Sequence, residues 1–103
     1  MPGRSPGEQV TRGAVAHRLA AMLFHITQRH APEDCPYGKG GSRSLFDYQS
    51  KDVTIHGYWV AFPQHTVYLV VETDDIAKLH AFLKPGAGVT TAEIAPVSDT
   101  PVA

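Results

Sequence analysis

The sequence predicts an α+β domain in which four antiparallel strands form one sheet and two helices cover one face of it. Four short runs rich in β-branched, aromatic or alternating apolar residues indicate the strands. Segments with helix-capping residues separate the first run from the second and the third from the fourth. The second and third runs are separated only by the turn at residues 63–65, so they are expected to form a hairpin.

The order of these segments along the chain defines a known topology. The predicted elements are strand Leu23–His30, loop Ala31–Gly41, helix Ser42–Gln49, strand Val53–Phe62, strand Thr66–Thr73, helix Asp75–Lys84 and strand Val89–Val97. This β-α-β-β-α-β order is that of the ferredoxin-like fold, with a four-stranded antiparallel sheet. Helices on one face leave the other face open, and a second copy of the chain is expected to cover it.

The second predicted helix has one apolar face. Thr73 or Asp74 is its expected N-cap, and Pro85 with Gly86 is expected to end it. Spacings of three, four and seven place one set of side chains on a common face, which is predicted to pack on the sheet. That set is Ile76, Leu79, His80 and Leu83.

The chain of 103 residues is expected to form one domain with extensions at both ends. Residues 1–21 are predicted to be a flexible extension, because their first part is rich in Pro and Gly. The alternative is that the start codon was assigned too early. The ordered domain is expected over residues 22–97, and residues 98–103 are expected to be a flexible tail.

Composition excludes several classes of partner. A net charge of -1 without a basic stripe argues against nucleic acid binding. No apolar run is long enough to span a bilayer, and the N-terminal residues lack the features of a secretory signal. Cys35 is the only cysteine, which excludes an internal disulfide and fits a cytoplasmic location.

The predicted hairpin register separates an apolar face from a polar, aromatic face. A three-residue turn pairs Phe62 with Thr66, so that Trp59 faces Leu69 within the core. The apolar face then comprises Ile55, Trp59, Ala61, Val67, Leu69 and Val71. The second face comprises His56, Tyr58, Val60, Tyr68, Val70 and Glu72.

This register places His56 directly opposite Glu72, which makes the pair the leading catalytic candidate. A carboxylate fixes the tautomer of an adjacent imidazole and raises its basicity, as a general base requires. Tyr58 and Tyr68 would donate hydrogen bonds to a substrate oxygen, with His25 and Thr27 on the lining. The structural alternative is a cross-strand salt bridge in the polar core of a dimer.

The stretch "MLFHITQRHAPEDCPYGKGG" supplies a second candidate site, with His25, His30 and Cys35 as metal ligands. Imidazole and thiolate suit copper, nickel and zinc. His25 and His30 are an odd number of residues apart on one strand, so they point to opposite faces. A residue of another strand or subunit would therefore complete a site around His30 and Cys35. The structural alternative is a strand-end histidine, a lining histidine and a small buried cysteine.

Two further residues are candidate substrate contacts. Arg43, in "YGKGGSRS", precedes backbone N–H groups that can hold an anion, although the segment lacks the P-loop spacing and also fits a plain loop. His80 flanks the apolar face of the second helix and is placed to line a pocket or to be a partly buried structural residue. His65, in the hairpin turn, is expected to be exposed to solvent.

The motifs "MLFHIT", "PEDCP", "TVYLVVETDD" and "EIAPV" resemble small bacterial proteins of the dimeric α/β-barrel superfamily. Within it the chain is most similar, over residues 22–97, to a group with Met-Leu-Phe-His-(Val/Ile)-Thr followed by Pro-Glu-Asp-Cys-Pro. Two departures are Gln28, where a further histidine often stands, and "GKGGS", where longer relatives have helical residues. The superfamily includes cofactor-free quinone monooxygenases, muconolactone isomerases, haem enzymes, aldoxime dehydratase-like proteins and nickel-binding proteins, so the fold does not select a reaction.

Three functions follow as expectations. The leading one is a cytoplasmic homodimer whose cavity binds a small organic metabolite for acid–base or oxidative chemistry, as in a monooxygenase, isomerase or cyclase. The second is a protein that binds a first-row transition metal (copper, nickel or zinc) without catalysis. The third is a structural or regulatory dimer without chemistry.

Overall fold

The computed structural model describes residues 21–100 as an α+β domain with one four-stranded antiparallel sheet and one α-helix. The strands and helix are β1 (Met22–His30), β2 (Thr54–Ala61), β3 (Thr66–Thr73), α1 (Ile76–Leu83) and β4 (Thr90–Val97). The strand order across the sheet is β2-β3-β1-β4. Short 3-10 turns lie at Pro32–Asp34, Ser42–Leu45 and Lys84–Gly86. Predictions for residues 1–20 and 101–103 fall outside the described residues.

The hydrophobic core lies on one face of the sheet, which we call the helix side. Alternate residues of the two central strands point to this side, as period-two alternation predicts. The core residues are Phe24, Ile26, Leu45, Phe46, Val53, Val67, Leu69, Val71, Leu79 and Phe82. Gln28 is also fully buried on this side, where its Nε2 donates a hydrogen bond to the Leu45 carbonyl at 2.8 Å.

Helix α1 begins at Ile76, one residue after the predicted start at Asp75. The Asp75 carboxylate accepts a hydrogen bond from the Ala77 N–H at 2.8 Å, so Asp75 is the N-cap in place of Thr73 or Asp74. The predicted apolar face is only partly correct. Leu79 is buried, but Ile76 is 51% exposed and His80 is exposed, while Phe82 occupies the core instead.

The first crossover contains a 3-10 turn where a helix over Ser42–Gln49 was predicted, and that prediction is wrong. Gly40 and Gly41 adopt positive φ immediately before the turn. After the turn, the Asp47 N–H donates to the Phe82 carbonyl at 2.8 Å. This N–H group therefore cannot form the hydrogen bond that would continue a helix. The segment still delivers Leu45 and Phe46 to the core. It also approaches Gly86 closely, where a Cβ atom would lie 2.5 Å from the Leu45 carbonyl oxygen.

The predicted hairpin register is wrong by one residue. The turn spans Phe62 to His65, and the first strand pair is Ala61 with Thr66. Tyr58 therefore pairs with Leu69 on the helix side, where its ring meets Phe46 edge-on at 5.3 Å between centroids. Trp59, predicted to be core, lies on the opposite face and is 57% exposed.

A β-bulge at His56 shifts the register a second time. Ile55 pairs with Val71 and Gly57 with Val70, so His56 is the extra residue of β2. A bulge of this kind bends the strand and re-aims a side chain. On the N-terminal side of the bulge, the first residue of β2, Thr54, pairs with Glu72.

The second face of the sheet has no helix against it among residues 21–100, and we call it the open face. Residues that pair across the strands form three rows on this face. The first row is Trp59, Tyr68, Thr27 and Glu93, the second is Gly57, Val70, His25 and Ala95, and the third is Glu72, Leu23 and Val97. An Arg29–Glu93 ion pair of 3.2 Å lies at one end. None of the helices in residues 21–100 has the length and apolar character needed to cross a membrane.

Candidate functional site

The end of the sheet next to the hairpin turn brings together two histidines and the cysteine. His30 is the last residue of β1, on the helix side. Cys35 follows the 3-10 turn Pro32–Asp34, which folds the chain back so that the Cys35 N–H donates to the Pro32 carbonyl at 3.2 Å. His65 is the last residue of the hairpin turn. We call these three residues the N₂S cluster, for their two imidazoles and one thiol.

Backbone hydrogen bonds hold His65 beside His30. The His65 N–H donates to the Phe62 carbonyl at 3.1 Å, which closes the turn, and the His30 N–H donates to the His65 carbonyl at 3.1 Å. His65 has φ of 51°, a left-handed conformation that no other non-glycine residue adopts within residues 21–100. The two imidazole rings meet edge-on, with 5.2 Å between centroids.

The N₂S cluster has dimensions close to those of a metal site. A ring nitrogen of each histidine and the Cys35 Sγ all lie within 4.8 Å of one another. In a tetrahedral zinc site, with Zn–N near 2.1 Å and Zn–S near 2.3 Å, neighbouring ligand atoms are about 3.4 to 3.7 Å apart. Because 4.8 Å is an upper limit on the present separations, each would shorten by at most about 1.4 Å around an ion.

Three of the four imidazole nitrogens of the cluster are buried and lack a hydrogen-bond partner within the described part of the chain. Both ring nitrogens of His30 and the Nδ1 of His65 are buried without a hydrogen bond. Buried polar atoms are normally hydrogen-bonded, so these nitrogens are available to pair with a water or to bind an ion. Burial lowers the pKa of His30, the proximity of His65 lowers it further, and Asp34 opposes both. His30 is consequently neutral near pH 7, which is the form that binds metals.

A cavity of about 80 Å³ adjoins the cluster, and all three of its residues line it. The remaining lining is apolar or small, with the aromatic rings of Tyr37 and Phe62 in tilted contact at 5.7 Å between centroids. No Asp, Glu, Lys or Arg side chain is among the described residues that line this cavity. The two imidazoles and the thiol of the cluster therefore border a small cavity with mainly apolar walls.

The predicted ligand set agrees with the cluster at His30 and Cys35 and differs at the third position. His25 lies on the open face, where its ring is 6.2 Å from that of Tyr68. His65, expected to be exposed, is half-buried and takes the third place. The sequence analysis expected a third residue from another strand or subunit, whereas His65 lies in the hairpin turn of the same chain. The signal for His65 is its position at the turn that adjoins the end of β1.

The open face carries the second candidate site. His56 Nε2 and Glu72 Oε1 are 2.7 Å apart, because the bulge turns His56 toward the strand that bears Glu72. Their side chains are 45% and 39% exposed. A shallow depression of about 400 Å³ is lined by both residues together with Leu23, Val70, Asp99 and Ala21.

The predicted partners of this pair divide between the two sides of the sheet. Tyr68, His25 and Thr27 lie on the open face with His56 and Glu72. Tyr58 lies on the helix side, because the true register rotates it into contact with the core, and its placement in the lining was wrong. Trp59 occupies the open face instead, and its indole lies over Gly57, where a Cβ atom would clash with the ring.

The two remaining predicted contacts lie in neither site. Arg43 stacks on the exposed Tyr48 ring, with its guanidinium carbon 4.7 Å from the ring centroid. His80 is exposed on α1 and lines a groove between that helix and β4 on the helix side. Neither side chain is among those lining the cavity at the N₂S cluster or the depression at His56.

These observations define a small α+β domain with a four-stranded antiparallel sheet and candidate sites at its hairpin end and on its open face. The family model for a domain of unknown function, DUF3303, matches residues 22–102. Because the match covers most of the chain, the protein belongs to this family. No curated protein and no solved structure gave a significant match.

Proposed function

We propose that the protein binds one first-row transition metal ion at the N₂S cluster of His30, Cys35 and His65. The observation that carries this proposal is the convergence of three ligand atoms within 4.8 Å, with buried imidazole nitrogens that have no partner in the described chain. Two imidazoles and a thiolate favour zinc or copper, and accept nickel, over oxygen-seeking ions such as magnesium.

Three protein ligands leave one coordination position for an exchangeable molecule. Structural zinc sites are closed by four protein ligands, whereas catalytic sites have three and keep a position for water or substrate. The adjoining cavity of about 80 Å³ gives that position space. The proposed function is therefore binding and activation of a small molecule on the metal, by polarising it or by ionising a bound water.

Metal analysis of the untagged protein tests this proposal. We expect close to one zinc or copper ion per chain after purification without an affinity tag, retained through gel filtration against a weak chelator. Cobalt(II) added to the metal-free protein should give an intense thiolate-to-metal charge-transfer band at one equivalent. A protein that takes up no stoichiometric Zn²⁺, Cu²⁺, Ni²⁺ or Co²⁺ would refute the metal centre.

The His56–Glu72 pair supports a second candidate function, acid–base or oxidative chemistry on a small organic metabolite. The supporting observation is the 2.7 Å contact at a bulge, a feature that is frequent beside active sites. Glu72 would orient His56 as general base, and Tyr68, His25 and Thr27 would line the substrate. An exposed pair of this kind contributes little to stability, so removing one partner is expected to leave the fold intact.

Turnover by the pair should depend on the Glu72 carboxylate. We expect Glu72→Gln to lower the rate by about a hundredfold or more while leaving the fold intact, because an amide cannot stabilise an imidazolium. Tyr58→Phe is the control and should keep most of the activity, since Tyr58 lies on the helix side. Oxygen uptake and product NMR with small hydroxylated aromatic compounds provide the assay. Full activity of Glu72→Gln would exclude the pair from catalysis.

The strand order supports a ferredoxin-like domain, and we propose that a second copy covers the open face to form a dimeric α/β barrel in the cytoplasm. Leu23, Trp59, Tyr68, Val70 and Val97 place apolar surface there, and its burial stabilises association at roughly 25 cal/mol per Å². The third expected function, a dimer without chemistry, would apply if both sites prove inactive.

Sedimentation equilibrium tests this association. We expect a dimer at micromolar concentration and a monomer for Val70→Asp, which places a charge in the middle of the open face. Ala87→Asp, in the exposed turn after α1, is the matched control and should remain dimeric. A wild-type monomer at these concentrations would contradict the proposed role of the open face.

A further inference from the structure

We infer that the exchangeable position of the metal centre takes a small monoanion of about three non-hydrogen atoms. This inference rests on the proposed metal centre and specifies its ligand. It follows from three properties of the cavity at the N₂S cluster: the charge that a bound ion would leave there, the character of the walls and the volume.

The charge is set by the ligands. A divalent ion carries two positive charges, the Cys35 thiolate supplies one negative charge, and two neutral imidazoles supply none. A complex with these ligands alone is therefore left with one positive charge. None of the described residues that line the cavity is charged and able to neutralise it.

The walls make that residual charge costly. Pro36, Val60, Ala61 and Phe62 present mainly apolar surface, which offers the charge no group to pair with, so a directly bound anion is favoured. The carboxylate that acts on His30 belongs to Asp34, which is exposed to water and does not line the cavity. Water screens an exposed charge, so Asp34 is a weak substitute for an anion bound directly to the metal.

The volume limits the size of the anion. A water molecule takes roughly 30 Å³ of liquid, so a cavity of about 80 Å³ has room for two or three. A cavity that binds benzene in an apolar protein interior measures roughly 150 Å³. Azide and formate therefore fit within this volume beside the metal, whereas a carboxylate that carries a phenyl ring exceeds it. Tyr37 and Phe62, in contact with each other, form the aromatic part of this boundary.

The charge and the size of the ligand are tested by visible spectroscopy of the full-length protein, loaded with one equivalent of cobalt(II). Azide, formate, benzoate and neutral imidazole are titrated separately. We expect azide and formate to shift the cobalt bands with saturation at one per metal. Benzoate should bind at least tenfold more weakly because of its size. Imidazole should bind at least tenfold more weakly because it is neutral.

Two variants then test whether the aromatic wall of the cavity limits the size of the anion. Phe62→Ala, checked first for cobalt content, should gain at least tenfold in benzoate affinity because it removes one ring from the wall. Tyr48→Ala is the matched control, since it removes an exposed ring that does not line the cavity, and it should keep the wild-type preference.

The outcomes separate this inference from the metal proposal. Failure to bind cobalt at one equivalent would refute the metal centre itself. Stoichiometric cobalt with no response to azide or formate, or with imidazole bound as tightly as azide, would overturn the monoanion alone. Benzoate bound as tightly as formate by the wild type would overturn the size limit. If Phe62→Ala does not load, the four wild-type titrations decide the question.

Discussion

Cys35→Ser is expected to lower the affinity for Zn²⁺ by at least about a hundredfold. Loss of a partner that only supports a metal ligand costs 10- to 100-fold, so loss of the thiolate itself should cost at least the upper end of that range. Serine preserves the volume of the side chain but remains a neutral hydroxyl that binds zinc poorly. Competition against a chromophoric chelator measures the change, and circular dichroism confirms that the fold is retained.

His65 is the residue that distinguishes the N₂S cluster from the ligand set predicted by sequence. We expect His65→Asn to weaken zinc binding as strongly as Cys35→Ser. Asparagine is preferable to alanine because it tolerates the positive φ of 51° at this position. His25→Ala is the control and should bind zinc within about twofold of the wild type, since His25 lies on the other side of the sheet. Loss of zinc from His25→Ala, with retention by His65→Asn, would restore the predicted set.

The sequence predicted the strands of this domain well because a half-buried strand repeats every two residues. Val67, Leu69 and Val71 alternate without interruption, and all three are buried on the helix side. The same period correctly placed His25 and His30 on opposite faces of β1. The α+β class and the four-stranded antiparallel sheet are therefore confirmed.

The register of the β2–β3 hairpin could not be obtained from periodicity, since it depends on the length of the turn. One additional turn residue, Phe62, shifted every pair and exchanged the faces of Tyr58 and Trp59. The bulge at His56 then shifted the pairing again, and this second shift is what brings His56 to Glu72. The two side chains meet as expected, but through a geometry that alternation alone did not predict.

Long-range contacts explain the remaining differences. The first crossover lacks an α-helix because the Asp47 N–H donates to the carbonyl of Phe82, which lies far along the chain. The third member of the N₂S cluster also depends on a long-range contact, the hydrogen bond between the His30 N–H and the His65 carbonyl. Local patterns contain no information about either partner, so the sequence could identify His30 and Cys35 but not His65.

The orientation of α1 gives the largest expected effect on stability. Phe82→Ala should lower the free energy of unfolding by about 3 to 5 kcal/mol, the usual cost of removing a buried phenylalanine. The Phe82 ring is 1% exposed and packs against Phe46 at 5.4 Å between centroids, so its loss opens a cavity between α1 and the first crossover. Urea unfolding followed by circular dichroism measures the change.

Ile76→Ala is the matched control, because the sequence placed Ile76 in the core and the structure leaves it 51% exposed. We expect this variant to change stability by less than about 1 kcal/mol, since little apolar area is lost and alanine is the better helix former. The predicted face and the observed face differ by a rotation of the helix about its axis, which exchanges these two positions between water and core. If Ile76→Ala were the more damaging variant, α1 would pack on the sheet through the face that its spacing predicted, and the contacts of Phe82 with Phe46 would not be those of the folded protein in solution.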